Sequence, residues 1–207
     1  MNRSTSTIKA EKEMTRDRIW KLLLDEGIAA PPFPVKGRIP NFKGSEKAAK
    51  NLERVPEYAS AKVVLAAPDY VLFHARAKCL LDGKVVVMAT PKLKEGYLLL
   101  EPKEIGNLAR SASTISGAFR FGKRIPSTIP PDLVIEGCVA VDKNGHRLGK
   151  GGGYGDEEIA YARSLNPKAK VAVLCSSRQV VERVPFEEGD QPVDYIVTEI
   201  SVFPVKR

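Results

Sequence analysis

The feature that most constrains the fold is a series of apolar runs rich in Val, Ile, Leu and Ala. They are AKVVLAA (61–67), KVVVMAT (84–90), DLVIEGCVAVD (132–142), KVAVLCS (170–176) and VDYIVTE (193–199). Segments with a helical pattern, 69–81 and 156–165, lie between them. Runs without polar alternation are typical of parallel strands that are buried on both faces. The sequence therefore predicts an α/β fold with three layers and a mostly parallel sheet, Rossmann-like in the broad sense.

The remaining segments complete one predicted domain over residues 1–207, which is an ordinary domain length. Residues 14–26 have helical spacing, with Thr15 as a cap, and 1–11 are expected to be a flexible N-terminus. The Pro-rich segment 30–44 is predicted to be irregular, and Ser45 to cap a helix over 46–54. GYLLLEP (96–102) is a further candidate strand.

Charge and cysteine content limit the classes of function. The net charge of +8 favours an anionic partner such as a nucleotide, a polyglutamate or a nucleic acid, or else reflects a solvated Lys/Glu-rich surface. Cys79, Cys138 and Cys175 are far apart, which predicts buried core residues and neither a disulfide framework nor a zinc site. No apolar run approaches the roughly 20 residues of a membrane span, and the N-terminus lacks the apolar core of a signal peptide, so we expect a cytoplasmic location without membrane contact.

The candidate binding site is the glycine-rich segment DKNGHRLGKGGGYGDEE (142–158). Five glycines fall between Gly149 and Gly155, and Arg147 and Lys150 lie among them. Glycine lets a ligand approach the backbone closely, and successive N–H groups can surround an anion. The start of the following helix adds a positive dipole end, so the segment predicts a phosphate site. A flexible turn between strand and helix is the alternative, and the Walker pattern is absent.

DLVIEGCVAVDKNGHRLGKGGGYGDEE (132–158) resembles the signature of the 5-formyltetrahydrofolate cyclo-ligase family. In that signature a strand ends in Asp and is followed by G-x-R-x-G-x-G-x-G-Y-Y-D-R. PFEEGDQPVDYIVTE (185–199) is similar to the closing segment of the family, and Lys12 and Arg16 to a K-x-x-x-R on its first helix. RIPNFKGS (38–45) and GKGGGYGDEE (149–158) are closer to the methenyltetrahydrofolate synthetase domain-containing branch.

The resemblance implies an ATP- and Mg²⁺-dependent ligase of folate metabolism. The family converts 5-formyltetrahydrofolate to 5,10-methenyltetrahydrofolate: the formyl oxygen is phosphorylated, N10 attacks the activated carbon, and phosphate leaves. Such chemistry needs positioning and charge neutralisation, for which the resemblance implies Lys12, Arg147 and Lys150. The implied ATP-binding residues are Lys12, Arg16, Arg147, Gly149, Lys150, Gly151, Gly152, Gly153, Tyr154 and Gly155.

The metal and substrate residues are also implied by the resemblance. Asp156 and Asp190 match the magnesium-binding acids, and two carboxylates suffice for Mg²⁺ beside phosphate oxygens. The implied substrate-binding residues are Asp69, Lys150, Gly151, Gly152, Gly153 and Tyr154. Simpler interpretations remain: Asp69 or Asp156 as a helix N-cap, Asp190 as a turn residue, and Lys12 with Arg16 as a solvated helix surface.

Two departures from the signature affect the site. Gly155 replaces its second tyrosine, which removes a possible stacking surface beside the substrate, and Glu157 replaces the following arginine, which reverses a charge close to the phosphates. Two alternatives to the cyclo-ligase are therefore kept. One is an enzyme that activates another pterin or heterocycle with ATP, and the other is an RNA-binding protein with a relic nucleotide site. Residues 105–131 motivate the latter, since they hold Arg110, Arg120, Lys123 and Arg124 and no acid, with a solvated loop as the alternative. Arg38 and Lys43 are expected near the rim of the site.

Overall fold

The computed structural model describes residues 5–206. Its α-helices are α1 (Thr5–Asp25), α2 (Ser45–Lys50), α3 (Pro56–Ser60), α4 (Phe73–Leu81), α5 (Pro102–Ile105), α6 (Ala109–Ala112), α7 (Ile115–Phe121) and α8 (Tyr154–Leu165). Short 3-10 turns lie at Asn51–Arg54, Tyr70–Leu72, Pro91–Leu93, Gly106–Leu108 and Ser177–Gln179.

The strands form one large sheet and two small ones. They are β1 (Ala29–Ala30), β2 (Asn41–Phe42), β3 (Val63–Ala66), β4 (Val85–Ala89), β5 (Tyr97–Leu100), β6 (Lys123–Ile125), β7 (Leu133–Gly137), β8 (Ala140–Asp142), β9 (Arg147–Leu148), β10 (Lys170–Leu174), β11 (Val180–Val181), β12 (Tyr195–Val197) and β13 (Val202–Pro204). The large sheet has eight strands in the order β13-β12-β10-β7-β3-β4-β5-β6. From β12 to β4 all neighbours are parallel, while β13, β5 and β6 pair antiparallel. The predicted α/β fold with a mostly parallel sheet in a single domain is confirmed.

The apolar runs are continuous because both faces of the large sheet are covered. In β3, Val64 and Ala66 pack into the core on one face, whereas Leu65 packs into the core on the other. Ile19 and Leu23 of α1 belong to the first core, and Ile159 of α8 belongs to the second. Each face therefore buries its own set of side chains under helices, which gives the three layers. Among residues 5–206, no helix is long and apolar enough to cross a bilayer.

Several boundaries differ from the sequence predictions. α1 begins at Thr5, so the expectation of a flexible segment over 1–11 is wrong for residues 5–11, while 1–4 lie outside the described residues. The cap of α2 is Gly44, with φ of 107°, and Ser45 is its first residue. The irregular segment 30–44 contributes to the two-residue pairing of β1 with β2. These ends were misplaced because capping depends on backbone geometry that composition does not reveal.

The apolar run 132–142 is not one strand. β7 ends at Gly137, and β8 belongs to a small sheet of order β11-β8-β9. A Cβ atom at Gly137 would lie 2.5 Å from Ile39 Cγ2, so the chain passes there too closely for any side chain. The break turns the chain away from the large sheet just beyond its carboxyl edge. This turn places the glycine-rich segment over the ends of the parallel strands.

Residues 105–131 fold into short helices and β6, so the solvated-loop alternative for this stretch is wrong. Its arginines lie over rings of the same molecule: Arg110 over Phe73, Arg120 over Phe121 and Arg124 over Phe119, at 5.6, 5.2 and 5.4 Å from the ring centroids. Cys79, Cys138 and Cys175 are free and buried, as predicted.

Candidate active site

A cavity of about 380 Å³ lies at the carboxyl edge of the large sheet. Its walls come from the segments that follow β3 and β4, from the end of β7, and from the glycine-rich segment with the start of α8. Parallel α/β sheets bind ligands at this edge, because the loops that follow the strands converge there. Several predicted site residues line the cavity: Asp69, Arg147, Gly149, Lys150, Gly152, Gly153, Tyr154, Gly155 and Asp156.

The glycine-rich segment has backbone donors without a protein partner, and most of its residues line this cavity, although Gly151 does not. Within the described chain, the N–H groups of residues 150–153 donate no hydrogen bond to a protein acceptor. Gly151 and Gly153 have φ of 105° and 76°, a left-handed region that side chains disfavour. Gly153 is also the N-cap of α8, so the first N–H groups of that helix lie at the same place. Free donors and a helix N-terminus together form a site suited to an anion such as phosphate.

Arg147 lies beneath the glycine-rich segment and is 6% exposed. Its Nη2 donates to Asp156 Oδ1 at 2.9 Å, and its Nη1 lies 3.4 Å from the carbonyl oxygen of Gly137. Burial alone would lower the pKa of Arg147, but the nearby carboxyl groups of Glu136 and Asp156 raise it. Its guanidinium is therefore a permanent positive charge at the cavity.

The departure at Gly155 has a structural reason. A Cβ atom at this position would lie 2.8 Å from Arg147 Nη2 and 3.0 Å from Arg147 Nη1. Any larger residue would therefore displace the guanidinium from its place beside Asp156. Gly155 and the buried position of Arg147 are thus linked features of this chain.

Lys12 and Arg16 of α1 approach the segment from behind and do not line the cavity. Both are 8% exposed, so their interpretation as a solvated helix surface is wrong. Arg16 Nε donates to the carbonyl oxygen of Gly149 at 2.9 Å. Lys12 Nζ lies 2.7 Å from both Glu187 and Asp190. Burial would lower the pKa of Lys12, but its hydrogen bonds with Asp190 and Glu187 raise it.

Lys150 and Asp69 meet across the cavity mouth at 2.8 Å. Asp69 is the N-cap residue of the 3-10 turn Tyr70–Leu72, as the simpler interpretation has it, but its side chain makes no capping hydrogen bond. Tyr154 lines the cavity and is 36% exposed, which leaves its ring accessible to a ligand. Arg38 also lines the cavity, whereas Lys43 is exposed and does not.

Asp156 and Asp190 lie on adjoining segments. Asp156 Oδ1 accepts hydrogen bonds from Arg147 and from the N–H of Gln191, the latter at 3.0 Å. Asp190 pairs with Lys12 and accepts from the N–H of Glu187 at 2.9 Å. Asp156 is not the helix N-cap, because Gly153 holds that position. Residues 5–206 contain no cluster of three or more metal-type ligands, so the magnesium site stays a two-carboxylate prediction.

Two acidic cavity residues were not predicted from the sequence, namely Glu136 of β7 and Glu158 of α8. Each is 3% exposed and lines the cavity. Burial, followed by the charge of Asp69, raises the pKa of Glu158 to about 7. Burial and the charge of Glu158 raise the pKa of Glu136 well above its ordinary value. The signal available in the sequence was one carboxylate inside the apolar strand LVIEG, where a charge is rarely buried without a partner.

Comparison with known proteins gives a consistent family. The sequence matches the profile of the 5-formyltetrahydrofolate cyclo-ligase family over residues 8–199. It is 34% identical over 206 residues to the Homo sapiens methenyltetrahydrofolate synthase domain-containing protein, covering 94% of this chain and 54% of that protein. The Mus musculus protein of the same name is 34% identical over 202 residues, with 92% and 54% covered. The chain thus spans about half the length of these curated relatives.

Solved structures show the same fold. The Aquifex aeolicus 5,10-methenyltetrahydrofolate synthetase has a TM-score of 0.60 at 23% identity, with 95% of this chain and 93% of that chain covered. A 5,10-methenyltetrahydrofolate synthetase from Mycoplasma pneumoniae has a TM-score of 0.54 at 12% identity, with 91% and 98% covered. Both likenesses are likenesses of fold.

Proposed function

Because this chain belongs to the 5-formyltetrahydrofolate cyclo-ligase family, we propose that it closes 5-formyltetrahydrofolate to 5,10-methenyltetrahydrofolate with ATP. The observation that carries the proposal is the run of free N–H groups at residues 150–153, at the start of α8 and beside Arg147. Such a run suits a triphosphate. The family match supplies the reaction.

The phosphates would lie on the segment from Gly149 to Gly155. Its backbone donors would hold phosphate oxygens, while Arg147 and Lys150 neutralise charge that develops during transfer. Arg16 would keep the segment in place through its bond to the carbonyl of Gly149. Lys12 would act from behind, through Asp190.

Magnesium would be held by Asp156 and Asp190. Carboxylate oxygens suit this hard cation, and two carboxylates are enough when phosphate oxygens and water complete the shell. When bound, ATP supplies the phosphoryl group and Mg²⁺ offsets part of its charge. Asp156 pairs with Arg147 and Asp190 with Lys12, so Mg²⁺ held by these two acids would compete with both ion pairs.

The folate would occupy the cavity between Asp69 and Tyr154. The Tyr154 ring offers a flat apolar surface, and heterocycles stack on such rings. Lys150 would contact both ligands, since it spans from the glycine-rich segment to Asp69. Residues 150–153 therefore contribute to both substrates.

The direct test is an assay with purified protein, ATP, Mg²⁺ and 5-formyltetrahydrofolate. We expect a rise in near-ultraviolet absorbance from the methenyl product that needs both ATP and Mg²⁺. Lys12→Ala should lower the rate strongly, while the matched control Lys21→Ala, exposed on the same helix, should not. Folded wild-type protein that gives no absorbance rise would contradict this reaction.

A second candidate is ATP-dependent activation of another pterin or heterocycle. Gly155 and Glu157 favour it, since both differ from the family signature. ATP binding without turnover of 5-formyltetrahydrofolate would select this candidate. RNA binding stays a prediction motivated by the net charge of +8 and the basic residues of 105–131.

A further inference from the structure

The floor of the cavity contains an unexplained pair of acids. Glu136 comes from the end of β7 and Glu158 from α8, and both carboxyl groups are almost completely buried. Neither occupies a position that the signature G-x-R-x-G-x-G-x-G-Y-Y-D-R specifies. A buried carboxyl group without a partner is costly, so a pair retained at a cavity needs a reason.

The cations that line the cavity are paired elsewhere. Lys150 pairs with Asp69 at 2.8 Å, and Arg147 pairs with Asp156 at 2.9 Å. The third cation of the lining, Arg38, donates to the carbonyl oxygen of Pro34 at 3.0 Å. Four acids line the cavity, and two of them, Glu136 and Glu158, are left without an ion pair among the described residues. They lie close enough to hydrogen-bond to each other.

Three buried atoms around this floor lack a partner. Glu136 Oε1 and Glu158 Oε1 accept no hydrogen bond from an N–H or hydroxyl group of residues 5–206, and Arg147 Nε has no acceptor. A buried polar atom without a hydrogen-bond partner destabilises the folded state. The set consists of two acceptors and one donor, so a complementary ligand edge would carry N–H donors next to an acceptor oxygen.

We propose that Glu136 and Glu158, together with Arg147, recognise the 2-amino-4-oxo edge of a pterin ring, an inference that rests on the proposed function. That edge presents an amino group, a ring N–H and a carbonyl oxygen in sequence. A carboxylate binds adjacent N–H groups, and an arginine N–H binds the carbonyl. The pair thus assigns the pterin to the cavity floor and leaves the segment 149–155 for phosphate.

The same pattern discriminates against adenine. Adenine places its amino group between ring nitrogens that accept hydrogen bonds, so it offers no pair of adjacent donors to a carboxylate. An adenine ring on this floor would place its acceptor nitrogens against the carboxylate oxygens of Glu136 and Glu158, which also accept. The nucleotide base is therefore directed away from Glu136 and Glu158.

The test compares binding of unsubstituted pterin with binding of lumazine, in which an oxo group replaces the 2-amino group. Titration by ligand fluorescence should show wild-type protein binding pterin at least about tenfold more tightly, because a hydrogen bond to a charged group is lost with lumazine. Glu136→Gln and Glu158→Gln should each weaken pterin binding about tenfold and reduce the preference to within about threefold. Glu182→Gln, exposed and absent from the cavity lining, is the matched control and should bind like wild type.

ATP affinity, measured by calorimetry on the same proteins, separates the two proposals. Wild-type protein that does not bind pterin, or binds pterin and lumazine equally, overturns the inference, as does undiminished pterin affinity in both folded glutamine variants. Absence of ATP binding with pterin preference intact would contradict the proposed function instead. Thermal unfolding checks the variants, and if both fail to fold the wild-type pterin-to-lumazine ratio decides alone.

Discussion

The rim and the floor of the cavity differ in how their charges are partnered. At the rim, Lys150 meets Asp69 in a half-exposed pair. At the floor, Glu136 and Glu158 face each other without a cation of their own. An ion pair at the rim can be replaced by contacts with a ligand at little cost in folding free energy, because water screens its charges. Floor groups are already desolvated, so they respond strongly to what enters beside them.

The largest effect should follow from removing the one cation between rim and floor. Arg147→Met would leave Glu136, Glu158 and Asp156 without a buried positive charge. We expect the free energy of unfolding to fall by about 3–5 kcal/mol at pH 8, as for a broken buried pair. Urea unfolding measures this change. If the free energy of unfolding fell by less than about 1 kcal/mol, the floor would not differ from the rim in its dependence on charge pairing.

The floor should also make stability depend on pH. The pKa of Glu158 is about 7 in the folded protein against the usual 4.5. A raised folded pKa means that its stabilising contribution is present below about pH 4.5 and is lost as pH rises through 7. In magnesium-free buffer, wild type should lose on the order of 2 kcal/mol relative to Glu158→Gln between pH 4.5 and 8. If the free energy of unfolding, measured with urea, changed with pH in the same way for wild type and Glu158→Gln, the buried pair of acids would be contradicted.

A rim variant should affect binding and leave folding nearly intact. Lys150→Ala removes one charge-assisted contact with phosphate, so ATP affinity should fall about tenfold by calorimetry. Asp156→Ala should weaken nucleotide binding when Mg²⁺ is present. Lys168→Ala, exposed and distant in sequence, serves as the control. Unchanged ATP affinity in both Lys150→Ala and Asp156→Ala would mean that the phosphate site is assigned wrongly.

The smallest effect should come from the rim pair itself. Asp69→Asn breaks the ion pair with Lys150, whose side chain is 41% exposed. We expect the free energy of unfolding to change by less than about 1 kcal/mol. A larger fall in the free energy of unfolding would mean that the rim pair stabilises the fold as strongly as the buried groups of the floor, against the comparison drawn above.

The fold class and the rim could be predicted from the sequence. The apolar runs indicate the buried parallel strands, and the unusual glycine content indicates the binding segment. The strand in the run 170–176 has apolar side chains on both faces, as expected where both faces of the sheet are buried. The glycines at 151 and 153 allow the left-handed backbone that the structure has there. The end of β7 at Gly137 was hidden, because the close approach of Ile39 comes from a distant segment. The pairing of Glu136 with Glu158 was hidden for the same reason, since 22 positions separate them in the chain.

The roles of α1 and Gly155 show the same limit. Lys12 and Arg16 were singled out by resemblance, yet only the packed structure places Arg16 on the carbonyl of Gly149. Gly155 was a departure without a reason until the guanidinium of Arg147 was found in the space that a side chain would need. The contact of Arg16 with Gly149 joins segments 133 positions apart, which local propensity cannot encode. Arg147 is near Gly155 in the chain, but the place of its guanidinium depends on how the glycine-rich segment folds.

The central claim is that the free amides of residues 150–153 bind a triphosphate. A crystal structure of the protein grown with ATP and Mg²⁺ tests it directly. We predict phosphate oxygens within about 2.7–3.2 Å of these backbone nitrogens, with Arg147 and Lys150 beside them. An ordered nucleotide bound elsewhere, with these amides facing solvent, would contradict the account.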